Sequence, residues 1–265
     1  RLWTADGTTS RPLSPHVAEP LRDSHRVSER RDAPIFPRPP DAAIVAEPTR
    51  LQVVVAHKGV VRWRCHAHGR AAHSSRPEAG DNAIYRIARI VSTLKRYHEE
   101  VLIDASAHPL CGRPTLSVGT ISGGISVNTV PDRATIEIDR RLAPGEEPDD
   151  AYRHVIDYLA VAMHDPDAVR HITHEPPFMQ SFGLSDAANR EIAERLLAAV
   201  RSVGGEASQI GVPFGTDAAA IARTGVPSVV FGPGSIEQAH TADEWISLSE
   251  VEQAAEILYR LAADW

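Results

Sequence analysis

Three loop clusters in this 265-residue chain bring together side chains that can do chemistry. The first is Glu47-Pro48-Thr49, which falls between two apolar runs, 42–45 and 51–56. In a doubly wound sheet the carboxyl ends of the strands are where ligands bind; alone, an acid before proline is equally an ordinary turn. The second is Phe231-Gly232-Pro233-Gly234-Ser235, followed by His240-Thr241-Ala242-Asp243-Glu244. Glycines after a strand let backbone N–H groups approach an anionic ligand. His240 suits a metal ligand backed by a carboxylate, and it also suits a solvated loop histidine. The third combines His73-Ser74-Ser75 with Asn128-Thr129-Val130-Pro131-Asp132 and Asp139-Arg140-Arg141. Arginine binds carboxylates through two parallel hydrogen bonds, and imidazole or amide groups can donate to a developing oxyanion. That set fits a substrate with a carbonyl and a carboxylate; each residue also fits a turn or a strand edge.

Regular elements must position these loops. Residues 42–45 and 51–56 read as buried strands. Residues 59–69 alternate Val61, Trp63, Cys65 and Ala67 against Arg62, Arg64, His66 and His68, the pattern of a half-solvated antiparallel strand. Residues 82–100 carry Ile84, Ile87, Ala88, Val91 and Leu94 at helical spacing. Strands are expected at 115–121 and 133–142, a helix at 148–163 and a strand at 169–174. The order strand-helix-strand-strand-helix-strand is that of a ferredoxin-like βαββαβ unit. Beyond Pro177 a helix is expected at 185–203, a short one at 216–223, a strand at 226–231 and a final helix at 249–261, capped by Ser249 with Glu252 at its third position. This second texture suits part of a doubly wound α/β sheet. The expected organisation is thus a disordered or non-homologous leader over 1–40, rich in Arg and Pro, then a βαββαβ unit over 58–175 inserted between 41–57 and 176–265.

Composition narrows the class. There are 28 Lys and Arg against 35 Asp and Glu, a net charge of −7, which is not the electrostatic footprint of a nucleic-acid binder. No run approaches the ~20 apolar residues of a membrane helix. With two cysteines far apart, neither a disulfide framework nor a thiolate zinc site is expected. Any metal would be held by the chain's 13 histidines and its carboxylates. The first twenty residues lack the apolar core of a signal peptide, so a cytoplasmic protein is expected.

Six segments in order, Asp41–Thr49, Ala56-His57-Lys58-Gly59, Gly69–Ser74, Ser126–Asp132, Gly215-Thr216-Asp217-Ala218 and Gly232–Gly234 with His240–Glu244, resemble the co-catalytic zinc amidohydrolases. That family includes acetylornithine deacetylase, succinyl-diaminopimelate desuccinylase, aminoacylase and carboxypeptidase G. The resemblance implies a partial, doubly wound zinc-peptidase-like sheet interrupted by a ferredoxin-like dimerisation or lid domain, and a homodimer formed through that lid. It implies two zinc ions, with Glu47 ligating one and His240 the other. It further implies that His73 polarises the scissile carbonyl in the partner's active site, that Asn128 and Arg141 contact substrate, and that Gly232 and Gly234 lie beside the substrate carboxylate. The substrate class it implies is an N-acyl amino acid or a peptide. Asp217 matches a family position without an assigned role.

The family's His-x-Asp segment and its Glu-Glu pair, which holds the general base, find no match here. Glu99-Glu100 and Glu146-Glu147 are adjacent acids expected to be solvated. A zinc site takes about three protein ligands and an open position, and a paired site holds its ions ~3.5–4 Å apart. The expectation is therefore an N-terminally truncated hydrolase chain that is inactive as given, with unpaired edges on the apolar runs. The alternative is a non-catalytic dimerising or carboxylate-binding protein derived from the same family.

Overall fold

In the computed structural model, residues 38–164, 169–239 and 241–265 are described, and every element below lies in one unit, Pro39–Trp265. Short apolar segments make the first sheet: β1 (Ala43–Val45), β2 (Val53–His57), β10 (Gln209–Val212) and β11 (Ser228–Val230), in the order β1-β11-β2-β10. Every residue of β2 is buried, and its side chains alternate between two cores as the strand period of two requires. Val53 and Val55 meet helices α3 (Arg190–Ser202) and α5 (Leu248–Ala263) through Ile192, Leu196, Val200 and Ile257. Val54 faces the other way, onto Leu184 and the short helix α4 (Ala218–Ala222). Helices thus cover both faces.

The second sheet contains β3 (Gly59–His68), β5 (Thr115–Gly123), β7 (Arg133–Leu142) and β8 (Ile172–His174) in the order β5-β7-β3-β8, with β9 (Met179–Ser181) also paired to β3. All pairings are antiparallel. One face buries Val61, Trp63, Cys65, Ala134, Ile136 and Ile138 against helices α1 (Ala83–Arg96) and α2 (Pro148–Ala162). The order β3-α1-β5-β7-α2-β8 is the βαββαβ arrangement read from the alternation of periods. Asn82 starts α1 by accepting hydrogen bonds from the N–H groups of Ile84 and Tyr85 at 2.9 and 3.2 Å, which satisfies donors that a helix start leaves open. Among the described residues no helix is long and apolar enough to cross a membrane.

At the rim of this core Trp63 Nε1 donates to His174 Nδ1 at 3.2 Å, with Cys65 Sγ 4.0 Å from His174 Nε2. Burial pushes the His174 imidazole down to about 4 and the Cys65 thiol up to about 12. Both are neutral at pH 7.

Several local expectations are corrected. The polar face of β3 is not simply solvated: Arg62 pairs with Asp139, Arg64 with Glu137, and His66, buried, reaches Thr135 and Glu175. The strand expected from residue 169 begins only at Ile172. The final helix starts after Ser247 rather than Ser249, and the Ser247 hydroxyl bonds to that of Ser249 at 2.8 Å instead of capping the helix. The first sheet is mixed, because β11 meets β2 antiparallel at Val230 and Val54. Of the three apolar runs expected to have open edges, only 42–45 lies at an edge. Run 226–231 is interior because β11 lies between β1 and β2, and run 51–56 is interior because β10 supplies the outer partner of β2 that the sequence did not reveal. Glu146 is not solvated either: it pairs with the buried Arg140 at 2.7 Å.

Candidate active-site cleft

Parallel pairing aligns the first two clusters. β1 and β11 run side by side with Val45 opposite Val230, so Glu47 and Gly232 follow at the carboxyl ends of the two strands. The loops are then stapled together. Thr49 Oγ1 accepts the Gly232 N–H at 3.1 Å and donates to the Gln52 carbonyl at 2.8 Å. The N–H groups of Arg50 and Leu51 donate to the carbonyls of Gly234 and Gly232 at 2.7 and 3.0 Å. A tight turn closes the segment, with the Gln52 N–H on the Thr49 carbonyl at 3.0 Å. Its central residues Arg50 and Leu51 take φ of 52° and 58°, a region that costs side-chain-bearing residues energy and is held only where the surroundings impose it. Gly232 is required sterically, since a Cβ there would lie 2.6 Å from the Glu47 carbonyl oxygen.

These loops wall a cleft of about 370 Å³ lined by Glu47, Pro48, Gly234, Ser235, Glu244 and Trp245 among others. Glu47 is half-buried. Two carboxylates therefore share one partly apolar cleft. Among the described residues no three His, Cys, Asp or Glu side chains are placed to hold a metal ion. His240 lies outside the described residues, as do residues 1–37 of the expected leader. Zinc takes three protein ligands and an open position, and the described residues do not make up such a site.

The expectation that Gly232 and Gly234 offer free N–H groups to an anion is corrected. The Gly232 N–H is used by Thr49, and the Gly234 N–H donates to Glu250 Oε2 at 2.7 Å. Sequence reading missed Glu250, although a signal was present. It stands three residues after Ser247, where a capping-box acid turns back on its own helix; here it reaches across to the loop instead. His57, buried, also has a structural part. Its ring contacts the Lys58 carbonyl through Nδ1 at 3.0 Å and the Thr216 N–H through Nε2 at 3.3 Å, and burial lowers its pKa. It ties the Gly215–Asp217 segment to the end of β2.

The third cluster is divided. A two-stranded ribbon, β4 (Ala72–His73) with β6 (Thr129–Val130), sets His73 opposite Thr129, and the Ser74 N–H donates to the Asn128 carbonyl at 2.9 Å. His73 and Asn128 are thus neighbours and both are exposed. His73 Nδ1 accepts the Ser75 N–H at 3.2 Å and contacts the Ser75 hydroxyl at 2.8 Å. Arg141 lies elsewhere. It sits at the far end of β7 from Arg133, roughly 26 Å along the strand at ~3.3 Å per residue. Its guanidinium is engaged by both oxygens of Asp139, at 2.7 and 3.2 Å. Within one copy, His73 also follows the end of β3 remote from β2.

A peptidase dimerisation domain matches residues 55–165. The chain is 31% identical over 225 residues to a putative succinyl-diaminopimelate desuccinylase of Mycobacterium tuberculosis, covering 83% of this chain and 57% of the relative. It is 30% identical over 231 residues to acetylornithine deacetylase of Myxococcus xanthus, with the same coverage of 83% and 57%. It therefore spans somewhat over half the length of these relatives. In fold it is similar to the aminopeptidase PepT of Bacillus cereus, with a TM-score of 0.65 at 20% identity over 83% of this chain and 56% of that one. Residues 55–165 thus match a peptidase dimerisation domain, and over 83% of its length the chain is similar to acetylornithine deacetylases and succinyl-diaminopimelate desuccinylases.

Proposed function

We propose that this chain carries the lid and one wall of the active site of a zinc-dependent amidohydrolase that cleaves N-acyl amino acids or small peptides, as a cytoplasmic homodimer joined through 58–175. The observation that carries the reading is the parallel β1–β11 register, which brings Glu47 and the 232–234 loop to one cleft at the strand ends, where open α/β sheets bind ligands. Residues 41–57 and 176–265 form the catalytic side in this reading. Zinc would supply an activated water and charge stabilisation. Of the chain's own residues, Glu47 would hold one zinc ion and His240 a second, with Glu244 lining the same cleft as Glu47. His73 and Asn128, exposed together at the end of the lid, would donate to the carbonyl oxygen of a substrate bound to the partner copy. Arg141, engaged by Asp139, would act on a substrate carboxylate only by exchanging that partner.

We further propose that the 265-residue chain does not hydrolyse amides by itself. A general base contributes about 10²–10⁴-fold, and among the described residues the cleft's acids are Glu47, assigned above to zinc, and Glu244, which follows the proposed ligand His240 in sequence. Calorimetric zinc titration of the purified chain, beside assays with N-acetylornithine and N-succinyl-diaminopimelate, tests this. Weak or no zinc binding and no turnover are expected, with any residual binding reduced in Glu47→Gln. Two tightly held zinc ions per chain with turnover would overturn the inactivity. Tight zinc binding that Glu47→Gln leaves unchanged would overturn the cleft assignment.

A further inference from the structure

The chain crosses between its two sheets twice, at Lys58 and at Phe182-Gly183. There the two strands are paired by hydrogen bonds between His57 and Leu184, the His57 N–H to the Leu184 carbonyl at 3.1 Å and the reverse at 2.9 Å. A two-stranded connection of this kind can bend. A separate piece of chain spans the junction. Loop 108–113, which leads from the region after α1 into β5 of the second sheet, lies on the outer edge strand β10 of the first.

Its closest approach to β10 is made by the Leu110 backbone at Gly211, and side chains hold it there. The Leu110 carbonyl oxygen lies 2.6 Å from where a Cβ on Gly211 would stand, so the seat exists only because residue 211 is glycine. The register of β10 on β2 shifts at this point, between Ile210 and Gly211. The Cys111 sulfur interacts with the Val212 backbone, and Lys58 Nζ donates to the Arg113 carbonyl at 2.5 Å. His108 fastens the loop: its Nδ1 accepts the N–H groups of Leu110 and Cys111 at 3.2 and 3.3 Å, and its Nε2 meets Asp186 Oδ1 at 3.2 Å. Asp186 belongs to the segment leading into α3. The imidazole therefore joins the loop's own turn to the first sheet's side of the junction.

We propose that loop 108–113 is a clamp that fixes the angle between the two sheets, with His108 and Asp186 as its fastener and Gly211 as its seat. The consequence, which rests on the function proposed above, is a lever. β3 carries the ribbon of His73 and Asn128 about ten residues from the crossing, roughly 33 Å at ~3.3 Å per residue. A rotation of about 10° at the crossing then moves His73 by roughly 6 Å, twice the length of a hydrogen bond. Without the clamp, His73 and Asn128 would not be held to a fixed target.

The experiment reads the angle without substrate. Spin labels are attached through p-acetylphenylalanine at Glu78, exposed near the ribbon, and at Glu194, exposed on α3, leaving both cysteines native. Dipolar spectroscopy on the full chain, diluted into an excess of unlabelled chain so that a dimer carries one labelled copy, should give one narrow distance distribution. Asp186→Ala and Gly211→Val should each broaden it or shift it by several Å, with faster hydrogen exchange in 108–113. Distributions that superpose on the unsubstituted chain's in every folded variant would overturn the clamp. Should Gly211→Val fail to fold, Asp186→Ala alone decides. A clamp that holds in a chain whose cleft assignment fails the zinc titration would leave this inference standing.

Discussion

His174 makes stability depend on pH in a way that one substitution isolates. Its ring accepts the Trp63 N–H at the rim of the βαββαβ core, and burial holds its pKa at about 4 against an ordinary 6.5. Between those values the unfolded chain binds a proton that the native chain does not, so native stability is lost as pH falls through 6.5 towards 4. Fully expressed, the difference between 6.5 and about 4 corresponds to about 3.4 kcal/mol. At pH 5 about 2 kcal/mol of this is expressed, and at pH 7 only about 0.2 kcal/mol. Replacing His174 by Gln keeps an acceptor for the Trp63 N–H and removes the titration. Urea unfolding followed by circular dichroism at pH 7 and pH 5 should show His174→Gln losing about 2 kcal/mol less than the unsubstituted chain over that interval. His57, also buried and also lowered, titrates in both proteins and cancels. Equal losses in the two proteins would refute a neutral, buried His174.

Two further outcomes concern the stapled loops. Arg50→Gly should raise stability by about 1 kcal/mol in thermal unfolding, because φ of 52° suits glycine, while the exposed Arg50–Glu237 ion pair contributes little. Gly232→Ala should cost about 2–3 kcal/mol by the same measurement, since its Cβ would press the Glu47 carbonyl. The same substitution should also weaken whatever zinc binding the calorimetry of the unsubstituted chain detects.

Much of the architecture follows from the order of residues alone. A strand period of two along 59–68 and 133–142 fixes which faces of β3 and β7 meet α1 and α2, because a slip of one residue would turn Trp63 and Ile136 to the polar side. Asn82 before an amphipathic run marks the start of α1 for a local reason, a side chain bonding N–H groups two and three residues on. The neighbourhood of Glu47 and the glycine loop was legible too, since strands followed by such loops put their chemistry at one end.

What needed the tertiary structure is what depends on contacts distant in sequence. β10 is four residues of Gln, Ile, Gly and Val, too short for a period to show, and only its place beside β2 makes it a strand. Glu250 has the local signature of a cap, yet the Gly234 N–H competes for it successfully. Arg141 reads as a substrate ligand by type, but its pleat turns it towards Asp139, and strand length separates it from His73. Local sequence specifies which backbone conformations are cheap. Which donor meets which acceptor across the junction of two sheets is decided by packing.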